Sequence, residues 1–487
     1  MNLSMIVCRQ GSCFRSAAFF HRIVLGLFLL LPGAVCAAAL FRAAPSQLNP
    51  AEKYVLEQVA AGKLASLQEV FPEATNRVLR AAFLESLLTN TRKDFSIHRN
   101  GVLIEAAVLE EPIDLRNAEI SHETQLTRCR FQAEVNFSKS FFENSLSIEG
   151  SVFQDTANFY AMKVGRGACF DKTVFGGGVN LEQAEITGVL TASKAQFTSP
   201  QARANFNSLK VVGNVFFTEA VFAGPVNLQY CHILDNFKMD HCQFSHPTNL
   251  VNYEGLKVGG TASFVQSAFA GYVSFKDASF VTVDFSQVKW PAHTNAFPWL
   301  WLNGMTYQRI GAGSEQESWS NLLGLLNRCA HGTAYSKEVY GNLEGFYRRL
   351  GYPKQADMVF IAQQQRERDE ILKGLDWWWN FFLDWFVHYG RSPERALFWS
   401  MAIVLFGLGV FRPRYMEPQK TDYKAGRFSP FWYSMDLFLP FIKLHDADIW
   451  KPKDDCGFPR VWSRIHTMLG WALIPIAVAA WTGMLSR

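Results

Sequence analysis

Charge is scarce in this chain of 487 residues: Asp, Glu, Lys and Arg make up 18%, and 47 basic residues nearly balance 43 acidic ones, for a net charge of +4. The concentrated basic surface that drives nucleic-acid binding through counterion release is therefore lacking, and nucleic acid is not expected as a partner. There is no CxxC and no paired cysteine spacing of a zinc or haem site. There is also no GxGxxG opening a helix, no phosphate loop, no HExxH and no GxSxG. Motifs thus give no catalytic residue, no cofactor-binding residue and no metal ligand. Hydrophobic residues reach 49%, too many for a disordered chain. The length suits two to four packed units.

What is present begins with a targeting pattern. Arg9, Arg15 and Arg22 precede an apolar run from Ile23 to Leu31, then Pro32, Gly33 and the small residues Ala34 to Ala39. Residues 1–39 read as a secretory signal with cleavage after Ala37 or Ala39, so the mature chain is expected to be exported. Val35 stands before Cys36 where a lipidation site wants a small residue, so lipidation is not expected. Cleavage leaves Cys129, Cys169, Cys231, Cys242, Cys329 and Cys456, expected as packed thiols without an obligatory disulfide.

Residues 40–100 form a helical cap in this reading, with Asn49-Pro50 as a start signal and apolar positions at helical spacing. Then the period changes. Phe131, Phe153, Phe175 and Phe197 are each 22 residues apart, and Phe222, Phe244 and Phe269 follow at intervals of 25, 22 and 25. Within each unit further apolar residues come at +6, +11 and +17, as in Phe131, Phe137, Phe142 and Ile148. The two longer units imply three-residue insertions, expected near Pro200 and near Gly259. This spacing fits neither a helix nor an extended strand. It fits a coil with four short sides, one bulky residue per side pointing to the axis. The 42 Phe against 14 Tyr then have a place, stacked along one interior column.

Fragments such as Ala157-Asn158-Phe159, Val179-Asn180-Leu181, Val226-Asn227-Leu228 and Val283-Asp284-Phe285 resemble the motif of pentapeptide-repeat proteins, whose middle residue is buried. The resemblance implies a mainly β fold, a quadrilateral β-helix over residues 101–290. About eight turns at the strand spacing give roughly 40 Å of solenoid. Ala192, Phe206 and the stretch 255–260 depart from the pattern, so distortion is expected there. Residues 291–373 read as a helical C-terminal cap, with helices at Trp319–Leu326, Lys337–Leu350 and Gln355–Ile371, and the polar run Gln363–Glu370 as a solvated face.

Residues 374–487 read as an α-helical membrane region. Asp376, Asn380, Asp384 and His388 recur every four residues in an aromatic-rich stretch, as in an interfacial helix. Two transmembrane helices are expected at about 396–411 and 465–485, with a half-helix near 429–441 that is too short to span. Arg412, Arg414, Lys420, Lys424 and Arg427 would then face the cytoplasm and the β-helix the periplasm of a bacterial inner membrane.

The layout of helix, half-helix and helix is similar to the pore module of two-helix ion channels, although no TxGxG filter follows the half-helix. Taken whole, the chain resembles bacterial membrane-associated pentapeptide-repeat proteins. Some members are labelled oxidoreductases, a label no residue here supports. The leading expectation is a non-enzymatic envelope scaffold with a protein partner; the alternatives are a channel or transport component and a membrane oxidoreductase. Asp436, an acid inside the apolar half-helix, is expected to cap or to pair with Lys443 or a neighbouring span. His445, Asp446 and Asp448 form a candidate ion or partner site, weighed against an ordinary hydrated loop. His232, His241 and His246 are weighed as a weak metal cluster against scattered surface histidines.

Overall fold

The computed structural model describes residues 47–92, 95–291, 300–311, 336–419, 427–439 and 441–481. The chain divides into two units, Met1–Leu48 and Asn49–Arg487. The expected signal segment, Cys329 and the expected helix at Trp319–Leu326 lie outside the described residues.

In the second unit, residues from Val102 to Ile310 build a parallel β-solenoid. One turn consists of four two-residue strands, Arg130–Phe131, Val135–Asn136, Phe141–Phe142 and Leu146–Ser147. Each pairs in parallel with its equivalent one turn later: Phe131 with Phe153, Asn136 with Asn158, Phe142 with Val164, Leu146 with Ala168. The four ladders make three sheets of 17, 8 and 9 strands. The largest joins two ladders because Lys257–Ser263 runs through the corner between them and pairs with both His232–Ile233 and Phe237–Lys238.

The expected Phe column is the spine of this solenoid. Phe131, Phe153, Phe175, Phe197, Phe222, Phe244 and Phe269 stack with ring centroids 4.4–5.2 Å apart. Trp290 closes the row 5.4 Å from Phe269. That interval matches the strand spacing of about 4.8 Å, so parallel pairing and ring stacking satisfy each other without distortion. Ala192 and Phe206 are buried in their own columns, and pairing runs through both turns without a break.

A second row lies on the neighbouring side. Asn136, Asn158, Asn180, Asn205, Asn227 and Asn252 are in register. From Asn158 to Asn227, each Nδ2 donates to the Oδ1 of the preceding Asn, at 3.5, 3.3, 3.1 and 3.0 Å. Each Oδ1 also accepts the backbone N–H two residues on, as Asn158 does from Tyr160, so the side chain holds its own corner.

Both insertions fall at one corner. Phe175 pairs with Phe197 but Asn180 with Asn205, which puts the first extra residues between Phe197 and Asn205. Phe222 pairs with Phe244 and Asn227 with Asn252, so the second lies between Phe244 and Asn252, not near Gly259. Asn249 Nδ2 donates to Pro200 O at 3.3 Å and ties the two bulges together. The glycines at 259 and 260 have a different cause: a Cβ on Gly259 would sit 2.2 Å from Leu234 O, so the strands approach too closely for a side chain.

Turning the chain takes a left-handed residue at every eleventh position. Lys139, Gly150, Ala161, Lys172, Gln183 and Lys194 have φ of 51–67°. Few of these are the Gly or Asn that such a backbone favours. The conformation is held from outside, since Lys139 N–H donates to Tyr160 O at 2.7 Å and Ala161 N–H to Glu182 O at 2.8 Å on the next turn. The next residue is often small and turns inward. Ser140, Ser151 and Thr173 donate to the carbonyls of Phe137, Leu126 and Ile148 at 2.7–2.9 Å. Cys129, Cys231 and Cys242 fill the same position, and burial pushes their thiols up to about 12.

Both ends of the solenoid are covered. Ala65–Ser66 pairs with Ile104–Glu105, and helices Pro50–Ala60 and Ala81–Leu88 lie over that edge. The first begins with a reciprocal Asn49–Glu52 cap, and the buried Glu52 also accepts from Arg80 Nε at 2.7 Å. At the far end the solenoid extends past the expected boundary at 290. Leu300–Trp301 and Thr306–Ile310 are strands, not helix, because Leu300, Leu302 and Met305 continue the buried columns. Helix Lys337–Arg349 closes this edge through Asn342 Nδ2 to Met305 O (3.2 Å) and Phe346 against Tyr307 (5.4 Å).

The remaining helices are Pro353–Glu370, Gly374–Val387, Pro393–Val410, Pro430–Phe438 and Gly457–Trp481. The run Gln363–Glu370 is a solvated face only at its end, where Asp369 and Glu370 are exposed. Gln363 is buried, and Arg366 and Arg368 are largely covered and bonded to Tyr340 and Asp384. Asp384 on the next helix neutralises Arg368, and Glu370 on the same helix neutralises Arg366. Among the described residues, one helix, Gly457–Ala479, is by itself long and apolar enough to cross a membrane. The helix expected to span at 396–411 reaches that length only together with Gly374–Gly390, and the two meet at 115°. Three consecutive left-handed residues, His388, Tyr389 and Gly390, make that bend.

Candidate functional site

The half-helix Pro430–Phe438 is wedged between the two long apolar helices rather than lying on a surface. Phe438 packs with Ile403, Val404 and Leu473, and Tyr433 with Val410, Phe411 and Met416. Two glycines permit this approach. A Cβ on Gly407 would meet Ser434 Oγ at 2.2 Å, and one on Gly470 would meet Phe438 O at 1.9 Å.

At the centre are two buried polar side chains that the sequence reading passed over. Ser434 Oγ donates to Val404 O at 2.9 Å. His466 Nε2 lies 2.9 Å from Ser434 O and 3.2 Å from Ser434 Oγ. Since the hydroxyl hydrogen is committed to Val404, the tautomer that satisfies both contacts carries its proton on Nε2. Nδ1 then presents a lone pair with no partner among the described residues, ringed by Phe411, Phe438 and Trp462. The signal in the sequence is the lone histidine one residue into an expected span, since an ionisable group at such depth is costly.

Asp436 behaves as a cap. Its carboxylate accepts from Leu444 N and Ala447 N, each at 2.7 Å, and so folds the returning loop against the end of the half-helix. No ion pair joins it to Lys443 among the described residues. His445 is left-handed at φ 69°, and its Nδ1 lies 3.3 Å from Asp448 Oδ2 in an exposed pair. Asp446 lies within reach of the Asp436 charge; burial, and then that charge, hold its carboxyl above the usual range. The four candidate residues thus form a folded acidic loop, with Asp436 beneath it and His445 and Asp448 on the outside.

A second polar seam joins the helices nearer the solenoid. Arg348 reaches Glu344 at 2.9 Å and Asp357 at 3.2 Å, while Arg391, at the bend, lies 3.3 Å from Asp357 and over the Phe360 ring at 4.5 Å. Arg368 pairs with Asp384 at 2.8 Å, and Tyr389 donates to Asn380 at 2.8 Å. Asn380 and Asp384 of helix Gly374–Val387 therefore face protein, Asp376 stays exposed near its start, and the opposite side, with Leu375, Trp378, Trp379 and Trp385, is exposed.

The structure does not bring the candidate histidines together. His232 is on a ladder, His241 at a left-handed corner and His246 in the second insertion. Among the described residues no group of three His, Cys, Asp or Glu side chains could hold a metal ion. No family model, curated protein or solved structure matches the chain, so the repeat register and the packing above define its class: a β-solenoid followed by an apolar helical region.

Proposed function

We propose that this protein is a scaffold of the bacterial cell envelope: a periplasmic pentapeptide-repeat β-helix, anchored in the inner membrane by its C-terminal helices, that presents its walls to a protein partner. One observation carries the anchoring. Large apolar side chains are uncovered along the helices Gly374–Val387, Pro393–Val410, Pro430–Phe438 and Gly457–Trp481, among them Trp378, Phe398, Met401, Trp432, Met468 and Trp471, at 50–72% exposure. A belt of this extent is costly in water and natural against lipid, with Trp at the headgroup level. Turns of 22 residues with four sides, and the burial of Phe159 within Ala157-Asn158-Phe159, support the pentapeptide-repeat reading. The solenoid's ion pairs, such as Lys163–Glu185–Lys210, run along its surface and suit a binding wall more than a reaction centre.

Reporter fusions near residues 300, 420 and 487 test the arrangement. The first should report the periplasm and the second the cytoplasm. A cytoplasmic signal at 300 removes the reading, and so does complete release of the chain from membranes by alkaline washing. Crosslinking in intact cells should then recover a defined envelope protein on the solenoid.

A channel component is a second reading, favoured by the enclosure of the half-helix between two long helices. It requires a flux in reconstituted vesicles that changes with Asp436→Asn.

A further inference from the structure

We infer that the cleft at the Arg412 end of the two apolar helices is a binding site for the phosphodiester headgroup of an anionic phospholipid. The inference rests on the membrane reading above. The cleft, of about 490 Å³, lies between the end of helix Pro393–Val410 and the start of helix Gly457–Trp481. Its wall includes Arg412, Arg414, Tyr415, Cys456 and Phe458.

The charges around it are unevenly satisfied. Glu417 is paired with Lys451 at 3.1 Å and Asp454 with Arg460 at 2.6 Å; Asp455 interacts with Cys456. Arg412 and Arg414 have no carboxylate partner among the described residues. Arg412 Nε donates to Gly409 O at 3.1 Å, and Arg414 stacks on Tyr415 at 4.5 Å. Both guanidinium groups are thus held in place by contacts that leave their charge unneutralised. A planar fork of donors so positioned suits phosphate oxygens.

The apolar surroundings select the source of the phosphate. Phe458 and Val461 are exposed at 63% and 56% on one helix, and Phe406 and Leu405 at 53% and 54% on the other. A lipid whose headgroup sits between the arginines lays its acyl chains along these side chains. Free phosphate uses none of them. A basic pocket between helix ends is the arrangement that anionic headgroups occupy.

The test uses full-length protein in an uncharged detergent, titrated with phosphatidylglycerol, phosphatidylcholine or inorganic phosphate and followed by native mass spectrometry. One phosphatidylglycerol should be retained, and Arg412→Gln with Arg414→Gln should weaken it about 30-fold. Phosphatidylcholine should bind the unaltered protein about as weakly, and inorganic phosphate should not be retained. Arg412→Lys with Arg414→Lys should give an intermediate affinity, because charge remains while the fork is lost; a lysine pair as weak as the glutamine pair overturns the charge account. Arg116→Gln with Arg130→Gln, an equal loss of two charges on the solenoid, should change nothing. Equal retention of phosphatidylglycerol by the glutamine variant, or equal retention of phosphatidylcholine, overturns the site. So does phosphate held as tightly as lipid. These failures leave membrane insertion intact, whereas loss of membrane association altogether would sink the reading beneath it.

Discussion

Replacing Phe175 by Ala tests the stacked spine directly. The ring is 1% exposed and sits 5.2 Å from both Phe153 and Phe197. Truncating a buried Phe costs about 3–5 kcal/mol. Each of the two stacks adds about 0.5–1.5 kcal/mol beyond the area buried, which places the expected loss at about 4–8 kcal/mol. In a solenoid each turn contacts only its neighbours, so the damage should be local. Native-state hydrogen exchange on the full-length protein reads it. At about 1.4 kcal/mol per tenfold, amides of Phe153, Phe175 and Phe197 should lose about a thousandfold or more in protection, while those of Phe244 and Phe269 lose far less. Phe141→Ala, at an outward position 42% exposed, is the control and should cost less than about 1 kcal/mol. A loss under tenfold at the neighbouring turns, or an equal loss along the whole solenoid, would refute the ladder as the local source of stability.

Gly188→Ala should lower thermal stability markedly, because the new Cβ would lie 2.1 Å from Arg166 O; Gly341→Ala, in open space within a helix, should be neutral or gain up to about 1 kcal/mol, and equal melting of the two variants would contradict the corner geometry. With a thiol reagent at pH 8, Cys456 and the partly exposed Cys169 should react well before Cys129, Cys231 and Cys242, whose burial pushes them up to about 12; peptide mapping that finds Cys231 labelled first would contradict the inward column. Asp446 should make its loop pH-dependent. Its folded carboxyl is raised by burial and by Asp436, so the ionised form strains the loop above that raised value and the strain is relieved as pH falls through it. Exchange protection at residues 444–449 should therefore rise on mild acidification, and Asp436→Asn should shrink that rise while loosening Leu444 and Ala447 by about 1–3 kcal/mol per lost charged hydrogen bond.

The repeat was legible because one residue type marks one side of each turn. Phe131 to Phe269 could be counted without knowing how the chain turns, and the apolar residues at +6, +11 and +17 from each then marked the other three sides. The corners were less legible. Left-handed positions usually announce themselves as Gly or Asn, yet Lys139, Lys172 and Gln183 occupy them, held by hydrogen bonds from the next turn that a single segment cannot reveal. Phe spacing alone also could not say where within a unit three residues were inserted, and Gly259 drew attention that belonged to the stretch after Phe244. In the helical region, lengths and turns were readable from the apolar spacing. Partners were not, because the covering of Arg366 and Arg368 and the meeting of Ser434 with His466 depend on how separate helices cross. Asp436 could be singled out as an acid in an apolar setting, but backbone amides, its actual partners, leave no mark in composition.

The asparagine row has a direction. Every side-chain amide between Asn158 and Asn227 points its donor toward the earlier turn, so their small dipoles add instead of cancelling. A turn already in place offers a ready acceptor to the one that follows it. The row also makes the two ends of the rod electrically unlike even where the ions on its walls are matched.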